Sequence, residues 1–149
     1  MKERTLTIIK PDSMKKKCFG AIMQRLLDEG FEFLHLKMLK LTKEQAEGFY
    51  EVHKEKPFFS ELVDFMTSGP VIVIALEREN AVLHLREIMG STDPKKASPS
   101  TIRAHYGTDI QCNAIHGSDS KENALKEINY FFAEYQIIRS PILAKIKIS

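Results

Sequence analysis

The run Val71 to Leu76 reads Val-Ile-Val-Ile-Ala-Leu, with an apolar side chain at every position. Successive side chains of a strand point to opposite faces, so a run apolar at both parities has no face suited to water. It is read as a central strand, and other segments must pair with its edges. Leu6 to Ile9 is a second, short apolar strand, ended by Pro11, which lacks a ladder donor. Leu6, Ile8 and Lys10 share a parity, so Lys10 continues an apolar row to the strand's end, where its ammonium can reach a cleft. Phe31 to Leu41 alternates imperfectly, with Leu34, Leu36 and Met38 on one face and charges at both ends, as in an edge strand. A brief fourth run leads into His116.

Helical patterns fill the intervals. One carries Ile22, Leu26 and Leu27 and stops at Gly30. Thr42 to Gln45 is a capping box for the next, and Lys56-Pro57-Phe58-Phe59 separates it from a short helix over Ser60 to Met66. Glu79 to Met89 turns Val82, Leu85 and Met89 inward before Gly90 ends it. Ser120 caps a helix opening at Lys121, whose Ala124, Leu125, Ile128, Phe131 and Phe132 keep a helical period. This order predicts an α+β sandwich with an antiparallel sheet covered on one face. At 149 residues, 43% hydrophobic and 28% charged, the chain is expected to form one globular domain.

Composition also excludes. A net charge of +2 gives no argument for nucleic acid, and no apolar run approaches membrane-spanning length. The N-terminus shows no signal-peptide pattern. Cys18 and Cys112 make no disulfide framework, which points to the reducing cytoplasm. Cys112 lies four residues before His116, but without a second pair a packed thiol is a simpler reading than a metal site.

The polar residues gather at element ends. Lys10 ends the first strand, and Arg86 and Thr92 flank Ser91 to Ser100, a segment with no hydrophobic period that holds Pro94, Lys95, Lys96 and Pro99. A loop of that length in a compact domain is usually functional or mobile. Arg103 follows it on a short helical turn, and Asn113 and His116 end the last strand. Three cations, a hydroxyl and a histidine suit a polyphosphate, because Arg matches phosphate oxygens bidentately and Lys acts as a point charge. No Walker pattern and no kinase-type Gly-rich loop is present, so side chains must replace a backbone cradle. In Asn113-Ala114-Ile115-His116-Gly117-Ser118-Asp119-Ser120, Gly117 permits a turn with φ > 0 that leaves the imidazole at a rim. Glu127 falls at the margin of the following helix's buried face. Taken alone, each cation also describes a solvated surface charge, and the octapeptide a turn histidine near a solvated glutamate.

These residues together resemble the nucleoside diphosphate kinases, from Arg4 to about Tyr135. The resemblance rests on Ile9-Lys10-Pro11-Asp12, Phe49-Tyr50, Pro57-Phe58-Phe59 with Leu62, and Ser68-Gly69-Pro70-Val71. Arg86 with Met89-Gly90, Thr92-Asp93-Pro94, Thr101-Ile102-Arg103 and the octapeptide complete it. It implies a ferredoxin-like fold with a four-stranded antiparallel sheet, in a domain of residues 1–136. It further implies ping-pong transfer of a γ-phosphoryl group, typically from ATP, to nucleoside diphosphates, with Mg²⁺. His116 would be the nucleophile, phosphorylated on Nδ1, with Glu127 holding its other nitrogen, Ser118 supporting Glu127 and Tyr50 beside the ring. Lys10, Arg86, Thr92 and Arg103 match phosphate-contacting positions, and Lys10 and Asn113 positions that bind the sugar hydroxyls. Phe58 and Ile110 match the pair that sandwiches the base, with Leu62 in the same pocket. A homo-oligomer, tetramer or hexamer, is implied too, with no membrane and no nucleic acid required. Ser13, Ser100 and His105 depart from the family's pattern. Residues 137–149 form a tail in which Leu143 to Ile148 alternates basic and apolar residues, and a strand, a subunit contact or disorder remain open for it. Two rival readings are a ferredoxin-like nucleic-acid-binding module, for which no exposed aromatic pattern is evident, and a phosphohistidine relay domain, which needs no base clamp.

Overall fold

A computed structural model describes residues 2–138 and 145–148. The chain runs β1 (Lys2–Ile9), α1 (Pro11–Lys15), α2 (Phe19–Asp28), β2 (Glu32–Leu39), α3 (Lys43–Phe49), α4 (Phe59–Met66), β3 (Val71–Glu79), α5 (Ala81–Met89), α6 (Ile102–Tyr106), β4 (Ile115–Gly117) and α7 (Lys121–Phe131). The strands make one antiparallel sheet in the order β2-β3-β1-β4. Its arrangement is the ferredoxin-like α+β fold expected from the resemblance, and the doubly apolar Val71–Leu76 run lies inside the sheet.

Helices cover both faces of that sheet, where one covered face was expected. Leu6, Ile8, Val73 and Ala75 pack with Ala46 of α3, Val63 and Met66 of α4, and Ile128 and Phe131 of α7. The other parity, Ile9, Ile72, Ile74 and Leu76, packs with Ile22 and Leu26 of α2 and with Leu85, Ile88 and Met89 of α5. A strand apolar at every position requires cover on both sides, and the intervening helices divide between them.

Local departures have local causes. Pro11 does more than end β1: it opens α1 at the first helical position, where the missing N–H costs nothing. A bulge between Phe33 and His35 makes Leu34 an extra residue in β2 and shifts the parity beyond it. Leu34 is therefore buried, whereas Leu36 and Met38 pair with Ile74 and Ile72 on the opposite face and stand exposed at the sheet edge. Leu27 and Leu125 keep their helical periods but point outward. The capping box at Thr42 and Gln45 is present, and Gly30 and Gly90 end their helices at φ values of 83° and 87°. Ile137 packs into the core, and Ile138 donates its N–H to the Leu34 carbonyl at the bulge. Leu143, where the alternating tail begins, lies outside the described residues, and residues 145–148 carry no strand.

Candidate active site

The short strand β4 lies against the end of β1, pairing Ile9 with Ile115, Ile8 with His116 and Thr7 with Gly117. This pairing brings Lys10 and His116, remote in sequence, to one end of the sheet. Gly117 is a strand residue and not the left-handed turn expected of it; among the described glycines only Gly30 and Gly90 have positive φ. Its lack of a side chain serves close packing instead. A Cβ there would sit 2.5 Å from Met89 Sδ and 3.1 Å from Leu85 Cδ2. The left-handed residue is Ala114, at φ 77°, where Ile115 N–H donates back to the Asn113 carbonyl and Asp12 Oδ2 accepts from the Ala114 N–H at 3.0 Å. Asp12 thus anchors the turn that aims Asn113, a role its place in Lys-Pro-Asp does not disclose.

His116 Nε2 lies 2.7 Å from Glu127 Oε1, and Ser118 Oγ donates to the same carboxylate oxygen at 3.0 Å. Ser118 is itself fixed by the Leu6 N–H at 3.3 Å, so the carboxylate is tied through it to β1. Against a carboxylate, Nε2 is the nitrogen that carries hydrogen, which leaves the lone pair on Nδ1. Nδ1 makes no hydrogen bond with the described residues, and the side chain, about one-fifth exposed, faces a cavity of about 780 Å³. Tyr50 stands edge-on to the imidazole at 6.3 Å, and burial pushes its phenol far up from the ordinary range.

Two of the cations, Lys10 and Arg103, reach the cavity from buried stations, and Arg86 from an exposed one. Lys10 donates to the Gln111 carbonyl at 3.1 Å and to Asn113 Oδ1 at 2.8 Å. Burial lowers its ammonium to about 8, an effect that nearby Asp12 only partly offsets. Arg103 threads its guanidinium among the carbonyls of Asn113, Gly90 and Ile115 at 3.3, 3.1 and 2.9 Å. Burial, and then repulsion from Arg86, lowers it to about 10. Arg86 approaches the Gly117 carbonyl, and Asn113 Nδ2 donates to the Thr92 carbonyl at 3.1 Å, so the long loop is bound to the site. Ser100, one of the departing residues, has no left-handed backbone, and its carbonyl accepts from Arg25 at 2.8 Å.

At the opposite end of the cavity, Phe58 and Ile110 are 46% and 62% exposed, open for a planar ligand, with Leu62 beside them. Every residue expected in the site lines this cavity except Ser118, which lies behind Glu127. Sequence reasoning missed His53, whose ring stands between those of Tyr50 and Phe58, and Asp119, whose carboxyl is held low chiefly by Asn123 Nδ2 at 2.6 Å. The aromatic neighbourhood of Tyr50 and the acid next to the signature histidine were the available signals. Among the described residues no group of three or more His, Cys, Asp or Glu is arranged to hold a metal ion.

A sequence model described as nucleoside diphosphate kinase matches residues 3–137. A nucleoside diphosphate kinase from a Nitratiruptor species is 56% identical over 136 residues, spanning 91% of this chain and 99% of that relative. Among solved structures, the Aquifex aeolicus nucleoside diphosphate kinase superposes with a TM-score of 0.91 at 50% identity, covering 93% of this chain and all of that one. A halophilic nucleoside diphosphate kinase from Halobacterium salinarum, in complex with CDP, gives 0.89 at 36% identity and covers 99% of this chain and 100% of that one. A histidine held by a carboxylate and presented to a cation-lined cavity, matched along nearly the whole chain by these relatives, has one consistent explanation: the chain belongs to the nucleoside diphosphate kinase family of phosphotransferases.

Proposed function

We propose that this enzyme carries the phosphoryl group on His116 Nδ1 between nucleoside triphosphates and diphosphates. The observation that supports this most directly is the 2.7 Å contact of Nε2 with Glu127, which commits the other nitrogen to the cavity. In the first half-reaction the Nδ1 lone pair attacks the γ-phosphorus, the bond from phosphorus to the bridging oxygen breaks, and that oxygen leaves as the nucleoside diphosphate. Nε2 keeps its proton, and Glu127 balances the positive charge that the ring acquires. The second half-reaction is the reverse with a different diphosphate as acceptor.

Lys10, Arg86 and Arg103 neutralise the transferring group, with Thr92 contributing a hydroxyl, and the buried stations of Lys10 and Arg103 hold those two ready before the substrate arrives. Lys10 and Asn113 take the sugar hydroxyls. Phe58 and Ile110 clamp the base by its faces, which leaves its hydrogen-bonding edge unread and admits all bases; the relative with bound CDP is consistent with such a site. The cavity offers single carboxylates and no cage, which fits a magnesium ion held mainly by the phosphates with Asp119 at the rim. Bound there, it would supply charge neutralisation. The domain takes in residues 1–136 together with Ile137, which is packed in its core, and the chain assembles as a homo-oligomer in the cytoplasm. No helix among the described residues is long and apolar enough to cross a membrane.

Incubation with γ-labelled ATP should give an acid-labile phosphoenzyme that any nucleoside diphosphate then discharges. The His116→Ala variant should fold normally, retain no label and show no turnover. Undiminished turnover in that folded variant would sink the carrier assignment.

A further inference from the structure

We infer that Phe49 is a positioning residue for His116, fixing both the plane of the imidazole and the station of the helix that carries Glu127. The inference rests on His116 being the phosphoryl carrier. One hydrogen bond from Nε2 to Glu127 locates a single atom and leaves the ring free to pivot about that contact. The plane needs a second restraint, and the rings of Phe49 and Tyr50 provide it. Phe49 lies 5.3 Å from the imidazole at 75°, Tyr50 lies 6.3 Å from it at 89°, and the two aromatic rings stand 4.9 Å apart at 88°. Three rings, each nearly perpendicular to the other two, form a corner in the edge-to-face geometry that aromatic quadrupoles favour. A quarter turn of the imidazole breaks both ring contacts. A half turn preserves the plane but puts Cε1 where Nε2 meets Glu127 and carbon where Nδ1 faces the cavity, which the hydrogen bond to Glu127 prevents.

Of the two restraining rings, Phe49 also packs on rings carried by α7. It packs on Phe131 at 5.1 Å and on Tyr130 at 5.8 Å. Tyr130 lies three residues beyond Glu127, on the same side of the helix. Its hydroxyl donates to the Gln45 carbonyl of α3 at 2.8 Å. A Cβ at Gly48 would come within 2.5 Å of that hydroxyl, so the glycine before Phe49 lets α3 and α7 close at this point. Phe49 therefore touches both members of the pair: the imidazole directly, and the carboxylate through the helix that bears it. Its partly buried ring lies against the core while one edge borders the cavity.

The test compares Phe49→Leu and Phe49→Met, which fill similar volume without a ring, with Phe49→Tyr, which keeps the ring. Rapid mixing with ATP should show phosphoenzyme formation slowed at least about tenfold in the two aliphatic variants, as expected for a misplaced nucleophile. Equilibrium nucleotide affinity should stay within about twofold, because the phosphate cations and the base clamp are untouched. Phe49→Tyr should restore the rate. Nitrogen-15 NMR of His116 without nucleotide should show the Nε2–H tautomer in the wild-type and tyrosine proteins and a mixture in the aliphatic ones. An unchanged rate with unchanged nitrogen shifts, in either folded aliphatic variant, overturns the inference. So does an equal loss of rate and affinity with unchanged shifts, which marks Phe49 as packing alone. Absence of phosphohistidine in the wild-type protein would instead refute the carrier role, and the tautomer comparison would still stand by itself.

Discussion

An ammonium at the end of an apolar row is costly to bury, and Lys10 is only 7% exposed. Its charge is disfavoured in the ligand-free fold, with a pKa of about 8 against 10.5 for a free lysine. Below pH 8 both the folded and unfolded states carry the proton, and the fold bears a penalty on the order of 3 kcal/mol. Between about 8 and 10.5 the unfolded state binds more protons, so this contribution to stability improves as pH rises through that window. Polyphosphate reverses the balance by supplying counter-charge. Nucleotide binding above pH 8 should therefore take up protons, and titration calorimetry in buffers of different ionisation enthalpy reads the number directly; a null result at pH 9 would mean that Lys10 is already charged. Glu127 has a different task. Glu127→Gln keeps the shape and removes the charge, so phosphoenzyme formation should slow by about tenfold or more while nucleotide affinity holds. An unaltered rapid-mixing rate would separate Glu127 from the histidine. Lys10, Glu127 and His116 stood out in the sequence as ionisable groups at the end or margin of an apolar pattern, but that pattern also described solvated residues, and their site roles came from the family resemblance. Asp12 and Phe49 were not assigned roles, since a carboxylate that holds a turn and a ring that backs a histidine look, in sequence, like any other acid or core aromatic.

At the level of elements, periodicity revealed what was regular and missed what was inserted. β3 was legible because two parities of apolar residues admit one reading, and the capping box and glycine stops marked their helices. The bulge at Leu34 adds one residue without a composition of its own, so the expected face of β2 was wrong beyond it. Gly117 illustrates the same limit: a glycine admits either an unusual φ or an unusually close neighbour, and only packing distinguishes them. The distinction is testable. Gly117→Ala forces Met89 and Leu85 off β4, which should cost about 1–3 kcal/mol, seen as a lowered urea midpoint. Because α5 also carries Arg86, phosphoryl transfer should fall too. Gly69→Ala is the control, since its Cβ would meet nothing nearer than Pro11 Cβ at 3.9 Å. Equal midpoints for the two variants would show that Met89 and Leu85 give way to the added methyl without cost.

For the molecule as a whole, the site and the apolar surface lie apart. The cavity lies beside β4 and the end of β1, whereas β2 closes the sheet at its other edge, with Leu36 and Met38 exposed at 44% and 57%. Leu27, on α2 immediately before β2, is half exposed as well. An edge strand with exposed apolar side chains is a site for pairing with another strand, and a second copy of the same edge is a self-complementary partner under twofold symmetry. The expected homo-oligomer would then be built through β2. Replacing both Leu36 and Met38 by lysine charges that edge without altering the core, because neither side chain is buried. Light scattering should show a smaller assembly for the double variant at equal concentration. Nucleotide affinity should persist, since neither Leu36 nor Met38 lines the cavity. An assembly of unchanged mass would move the interface to another surface. A smaller assembly that no longer binds nucleotide would show that the cavity holds its shape only under the constraint of a partner.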